Sequence, residues 1–291
     1  MANVGRYLPV TATVILTEVR IHSALRRMGS AEWIPDQVRD DEDGEGSFWW
    51  SAPSPYTHMP LPASALHDTH ATMLPHTQSV ILLHGFGGHQ VQTALLARRL
   101  RGAGYDVANI GYPSWRWPLA SVIDHLHARI IASPAYAATT AHCVGHSMGG
   151  LILRAWLARH RPDHLGRVVM LGTPNGGSEI ADLLYRLRLH PLILNQAGAL
   201  LRTRRDAATL AALGKVDYPL GIIAGDRPMN GLLPSRIFRA PNDGKVSVAA
   251  THCPGESDHI TLPVAHTAMI YTRPVADQVV HFLRHGQFAR T

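Results

Sequence analysis

Cysteine is nearly absent from the 291-residue chain, which holds only Cys143 and Cys253. Two thiols build no disulfide framework and lack the paired spacing of a zinc site, so reduced thiols in a cytoplasmic protein are expected. Cys143 falls in a predicted buried strand and reads as a small core hydrophobe rather than a reactive thiol. Long apolar runs are missing too. The best candidate, residues 7 to 16, is well short of the roughly 18 residues that a spanning helix needs, and polar groups break it. A soluble protein without stable membrane insertion is expected. Thr11, Thr13 and Thr17 interrupt the N-terminal run and no small-residue cleavage site follows, which argues against a signal peptide. The chain has 19 histidines but no H-E-x-x-H or comparable ligand spacing, so neither a metal nor another cofactor is expected.

The formal charge of +6 hides an asymmetry. Residues 1 to 72 carry 5 Lys/Arg and 9 Asp/Glu, and residues 73 to 291 carry 22 against 12. The basic charge is scattered arginine without interleaved aromatics, so a solvated face is expected and no nucleic-acid partner.

Residues 1 to 72 differ in composition from the rest, with the acidic run Asp40-Asp41-Glu42-Asp43-Gly44-Glu45 followed by several prolines. They read as a linker or disordered extension. The stretch Trp33 to Asp41 resembles a translated intergenic repeat of some bacterial genomes, and translation is expected to start near Met73. From Ser79 onward, apolar runs of strand length alternate with helical patterns, which predicts an α/β fold with a mostly parallel sheet flanked by helices. Strands are expected at 80–83, 106–110, 141–144, 168–171 and 218–224, and helices at 93–100, 119–131, 149–160 and 275–283. Residues 179 to 216 are expected to form a helical insertion, with Ile180, Leu183, Leu184 and Leu187 on one face of a first helix and a second short helix at 207–213 ending at Gly214. It reads either as a lid over the strand C-termini or as ordinary connecting helices.

Gly145-His146-Ser147-Met148-Gly149 fits G-x-S-x-G and lies between a predicted strand and a predicted helix. Such a turn holds its serine in a strained conformation that lifts the hydroxyl above the sheet, while the glycines remove colliding side chains. Ser147 is the candidate nucleophile. A tetrahedral intermediate needs two N–H donors; one is expected from Met148 and the other from Phe86 in His84-Gly85-Phe86-Gly87-Gly88, after the first strand.

These two segments, together with LGTPNGG at 171 to 177, NDGKVSV at 242 to 248 and the region around His266, make residues 79 to 288 similar to bacterial α/β-hydrolases of the lipase/esterase kind. The resemblance implies a canopy-covered sheet and a metal-free triad in the order Ser, Asp, His. His266, in a loop before the closing helix, sits where the family's catalytic histidine does, with His259 as runner-up; His252, His281 and His285 are placed less well. Two aspartates compete for the acid. Asp243 lies in an N-D-G-x-V loop like that of bacterial lipases, and Asp226 follows the strand Gly221 to Gly225. Asp243 is preferred, although Asp243-Gly244 is also a common turn pair.

Tyr112-Pro113-Ser114-Trp115-Arg116-Trp117-Pro118 follows the second strand, so Tyr112 and Trp115 either wall an acyl pocket or pack under the insertion. The expected partner is a small-molecule or lipid ester. Acyl transfer and thioester or amide cleavage use the same triad, and a non-catalytic binding protein on this fold is the reading from another class; the oligomeric state is left open. If translation begins near Met73, mass spectrometry of native extracts will find no peptides from residues 6 to 39. Detecting them would contradict that start.

Overall fold

The computed structural model describes residues 78–228 and 240–290. The expectations for residues 1 to 72, and for a start near Met73, lie outside the described residues.

The chain alternates strands and helices. In order come β1 (Gln78–Leu83), α1 (Ala94–Gly102), β2 (Asp106–Ile110), α2 (Leu119–Ile131), β3 (Thr140–His146), α3 (Met148–His160) and β4 (Leu165–Leu171). Four helices follow: α4 (Glu179–Arg186), α5 (His190–Ile193), α6 (Gly198–Leu201) and α7 (Ala207–Leu213). The last elements are β5 (Leu220–Gly225), α8 (Val248–Thr251), β6 (Asp258–Leu262) and α9 (Arg273–His285).

Among the described residues six strands pair in parallel, in the order β2-β1-β3-β4-β5-β6. The central strands are apolar at nearly every position because helices cover both faces. On one face Val80, Leu82, Val144, Val169, Leu171 and Ile223 form one core with Leu96 and Leu100 of α1 and Val279, Phe282 and Leu283 of α9. By the two-residue period of a strand, Ile81, Leu83, Cys143 and Met170 point the other way, toward the side packed by α3, where Leu153 and Trp156 are fully buried. Cys143 is buried there as a free thiol, its pKa pushed up to about 12 by burial, which suits a core residue rather than a nucleophile.

Order reverses between β1 and β3: the chain leaves β1 for β2 on one side and returns to β3 on the other. Loops at the carboxyl ends of strands flanking such a reversal diverge and leave a crevice, the usual ligand position in open α/β sheets. Residues 84–88 and Ser147 lie at those two ends.

Three differences from expectation have a physical reason. β6 is not among the expected strands, because an edge strand with half-buried residues carries a weak alternation signal. β5 begins at Leu220 rather than Tyr218, since Pro219 cannot donate to the ladder and only its carbonyl pairs, with Val168 N–H. Within the insertion α4 and α7 match the helical patterns, α5 and α6 are additional, and Leu187 ends 46% exposed past the end of α4 rather than on its buried face. Among the described residues no helix is long and apolar enough to cross a membrane.

One buried polar group makes the core sensitive to acid. His142 on β3 accepts the Arg167 N–H at Nδ1 (2.8 Å) and lies within 3.3 Å of Gln78 Oε1 through Nε2. Burial, with the Arg167 charge adding to it, pushes its pKa down to about 4. The unfolded chain therefore takes up this proton first, at about pH 6.5, so the contribution of neutral His142 is intact above that pH and is lost progressively down to about pH 4. Urea midpoints should fall between pH 7 and pH 4 by the equivalent of about 1–3 kcal/mol from this group. His142→Asn, which keeps an acceptor for Arg167 N–H but does not titrate, should reduce that dependence; an unchanged slope would contradict the assignment.

Candidate active site

The G-x-S-x-G run crosses directly from β3 into α3, leaving Ser147 at φ 55°, ψ −126°. An L residue in such a region costs about 1–3 kcal/mol, so the surroundings must impose it. They do so through hydrogen bonds from Ser147 N–H to Leu171 O (2.7 Å) and from Gly150 N–H to Ser147 O (3.1 Å). The glycines on either side permit the turn. A Cβ on Gly145 would lie 2.6 Å from Gly150 N, and one on Gly149 would lie 2.4 Å from His84 O. Met148 is the first residue of α3, and its N–H belongs to the helical turn that has no intrahelical acceptor.

His266 and Asp243 come to this serine from two late loops. His266 Nε2 is 2.9 Å from Ser147 Oγ, and His266 Nδ1 is 2.7 Å from Asp243 Oδ2. With Nδ1–H donating to the carboxylate, Nε2 presents its lone pair to the serine hydroxyl. The second carboxylate oxygen, Oδ1, accepts the N–H groups of Lys245 (2.9 Å) and Val246 (2.8 Å). Asp243 is 2% exposed. Burial raises its pKa, but the charge and hydrogen bond of His266 and the two backbone donors outweigh it, leaving the carboxyl below its ordinary value and ionised. Asp226, the rival acid, is 40% exposed at its side chain and faces Arg227 at 3.9 Å. His259, the rival base, sits instead within hydrogen-bond distance of Thr251 Oγ1 (2.9 Å) and stacks on His252.

The loop after β1 closes a turn through Gly88 N–H to Gly85 O (3.2 Å), with Gly87 at φ 63°, so Phe86 stands at its corner, partly exposed. Tyr112 is 5% exposed and stacks on His84 with centroids 4.4 Å apart. Its hydroxyl donates to His84 O (2.7 Å) and its N–H to His84 Nε2 (3.3 Å), so it braces the 84–88 loop. Trp115 Nε1 donates to Ile193 O of α5 at 3.0 Å, which places this indole under the insertion. For both aromatics the packing alternative describes the contacts made.

Several supporting residues carried no sequence signal beyond their motifs. Gly172, at φ 55°, lies against Asp243 and His266: a Cβ there would be 3.0 Å from Asp243 Oδ2 and 3.1 Å from His266 Nδ1. Ser178 Oγ donates to Lys245 O and Ser247 Oγ to Glu179 Oε1, so the start of α4 holds the 242–248 loop. Arg205 donates to the carbonyls of Pro174, Asn175 and Leu200, tying the insertion to the loop after β4. Long-range pairing of this kind leaves no periodic trace; only the glycine density of LGTPNGG hinted that backbone and functional groups approach closely there.

A parallel sheet with a serine elbow at its switch point defines the α/β-hydrolase fold, and the family model described as "alpha/beta hydrolase fold" matches residues 78–212. The chain has the α/β-hydrolase fold and is similar to α/β-hydrolases of the lipase/esterase kind. It is 30% identical over 239 residues to a triacylglycerol lipase of Burkholderia plantarii, an alignment covering 74% of this chain and 63% of the relative, so it spans less than two thirds of that protein. The mature lipase of Bacillus licheniformis shares the fold with a TM-score of 0.60 at 21% identity, over 73% of this chain and 93% of that one. Phospholipase PlaB from Legionella pneumophila shares it with a TM-score of 0.54 at 17% identity, over 72% and 60%.

Gly172→Ala should force the Asp243–His266 contact apart while destabilising the fold by about 1 kcal/mol or more, because alanine is strained at positive φ. The low-field proton resonance of His266 Nδ1–H reports the contact. Loss or marked upfield movement is expected in the folded variant, and an unchanged resonance would contradict this packing.

Proposed function

We propose that the chain is a serine hydrolase that cleaves carboxylic esters through Ser147, His266 and Asp243. The observation that carries the reading is the continuous chain of contacts from Ser147 Oγ through both nitrogens of His266 to Asp243, at 2.9 and 2.7 Å. Nucleophile, base and orienting group are within reach of one another before any substrate arrives, as nucleophilic catalysis requires.

In this reading His266 Nε2 takes the Ser147 proton as Oγ attacks the acyl carbonyl, and the carbonyl π electrons move onto oxygen. The N–H groups of Phe86 and Met148 receive that oxyanion, helped by the positive end of α3. His266 then gives its proton to the departing alkoxide as the C–O bond breaks, leaving an acyl-enzyme. Water, deprotonated by the same imidazole, attacks the acyl-enzyme and releases the acid. Asp243 keeps His266 in the Nδ1–H tautomer and stabilises the imidazolium without being protonated, consistent with its lowered pKa. The names of the relatives, triacylglycerol lipase and phospholipase, support an ester with a lipophilic acyl part.

Hydrolysis of a chain-length series of p-nitrophenyl esters tests the reading and narrows the acyl group. Ser147→Ala and His266→Ala should each lower kcat by roughly four to six powers of ten, and the double variant should be no worse than either. Asp243→Asn should lose about four powers of ten, and Asp226→Asn should stay within about twofold of wild type, as expected for a surface change. The reverse ranking of the aspartates would reassign the acid. Because protonated His266 cannot act as a base, kcat/KM should fall as the pH is lowered. A flat profile down to about pH 4 would contradict a histidine base.

A further inference from the structure

We propose that His146 is a positioning residue that clamps the backbone of His266; this rests on the hydrolase reading above. His146 is the last residue of β3 and immediately precedes Ser147, so the strand and the elbow together fix where its ring stands. The ring is 6% exposed, and its Nε2 lies 3.1 Å from the carbonyl oxygen of His266. A carbonyl only accepts, so Nε2 carries the proton and Nδ1 the lone pair. Nδ1 points toward the turn that holds Phe86: a Cβ on Gly85 would be 3.1 Å from it and 3.1 Å from Ser147 Cβ. One imidazole thereby stands between the loop after β1 and the backbone of His266.

His266 depends on a hold from that side. Its N–H donates to Asp243 O (2.9 Å) and its Nδ1 to Asp243 Oδ2 (2.7 Å), so both of these restraints come from the acid loop. The His146 contact restrains the other end of the residue and fixes the angle from which Nε2 meets Ser147 Oγ. The clamp also works as a neutral group. Burial, then the neighbouring His266 charge, push the His146 pKa down to about 3; the hydrogen bond to the His266 carbonyl and the Asp243 charge oppose this without cancelling it, and Lys245 adds to it. The rings are 5.0 Å apart. A second positive charge at that separation would oppose the imidazolium that forms on His266 during proton transfer.

The test compares His146→Leu, which removes the donor, with His146→Gln, whose side-chain amide reaches the position of Nε2. With p-nitrophenyl esters, kcat should fall about 10–100-fold in H146L with KM within about twofold, because a small misalignment of the base acts on the chemical step. H146Q should recover to within about fivefold of wild type. An H146L variant as fast as wild type, or an H146Q variant as slow as H146L, overturns the clamp. A measurement on the unsubstituted chain stands whether or not H146L folds: side-chain nitrogen NMR should find His146 with its proton on Nε2 and not titrating from about pH 8 to pH 5, below the ordinary histidine value. A proton on Nδ1, or titration in that range, overturns the proposal. A wild-type chain that hydrolyses no ester, or an S147A variant as active as wild type, brings down the hydrolase reading and the clamp with it. A fast H146L variant removes the clamp alone.

Discussion

The backbone of Ser147 is held where an L residue does not rest by itself, and most of the surrounding structure exists to hold it there. The strand ends and the helix begins with no intervening loop, so the single residue between them must take up the whole change of direction. The hydrogen bond from its N–H to Leu171 O anchors the elbow to the neighbouring strand, and the absence of side chains at Gly145 and Gly149 lets α3 start against the end of β1. A cost of about 1–3 kcal/mol at one residue is small beside the burial of β3 and α3, whose Val144, Leu151, Leu153 and Trp156 are fully enclosed. The core can therefore carry the strain, and Ser147 stays partly exposed.

The other two members of the constellation are held by a different device. The 242–248 loop folds back on itself, with Asp243 N–H on Val246 O, while the Lys245 and Val246 amides grip the carboxylate. His266 is tied to that loop through backbone and ring alike, by its N–H on Asp243 O and its Nδ1 on Asp243 Oδ2. Gly172 leaves the space beside them, and Ser178 and Glu179 at the start of α4 grip the loop from the insertion side. The insertion is thus coupled to the acid loop through its first turn, whatever its outer helices cover.

Local chemistry made much of this readable in the chain. The elbow was legible because it needs glycine at fixed offsets from one serine, between a strand pattern and a helix pattern. The core strands were legible because a sheet covered on both faces demands continuous apolar runs such as Val80 to Leu83. Asp243 and Asp226 could not be separated with the same certainty, since both follow late apolar segments; only the fold puts one carboxylate against His266 and the other against Arg227. Tyr112 and Trp115 were ambiguous for a related reason: an aromatic side chain serves a pocket wall and a packed strut equally well, and its partners, His84 and Ile193, lie 28 and 78 positions away. β6 was faint because an edge strand is half exposed. His146 was hidden inside the motif itself, at a position whose residue type the motif does not specify.

The central claim is that one hydroxyl in the chain is activated by the imidazole beside it. Reaction of the intact protein with a fluorophosphonate, followed by peptide mapping, tests this most directly. A single adduct on Ser147, formed far more slowly when His266 is alanine, is the expected result. Ester turnover that persists while Ser147 stays unmodified, or an adduct on another residue, would contradict the account.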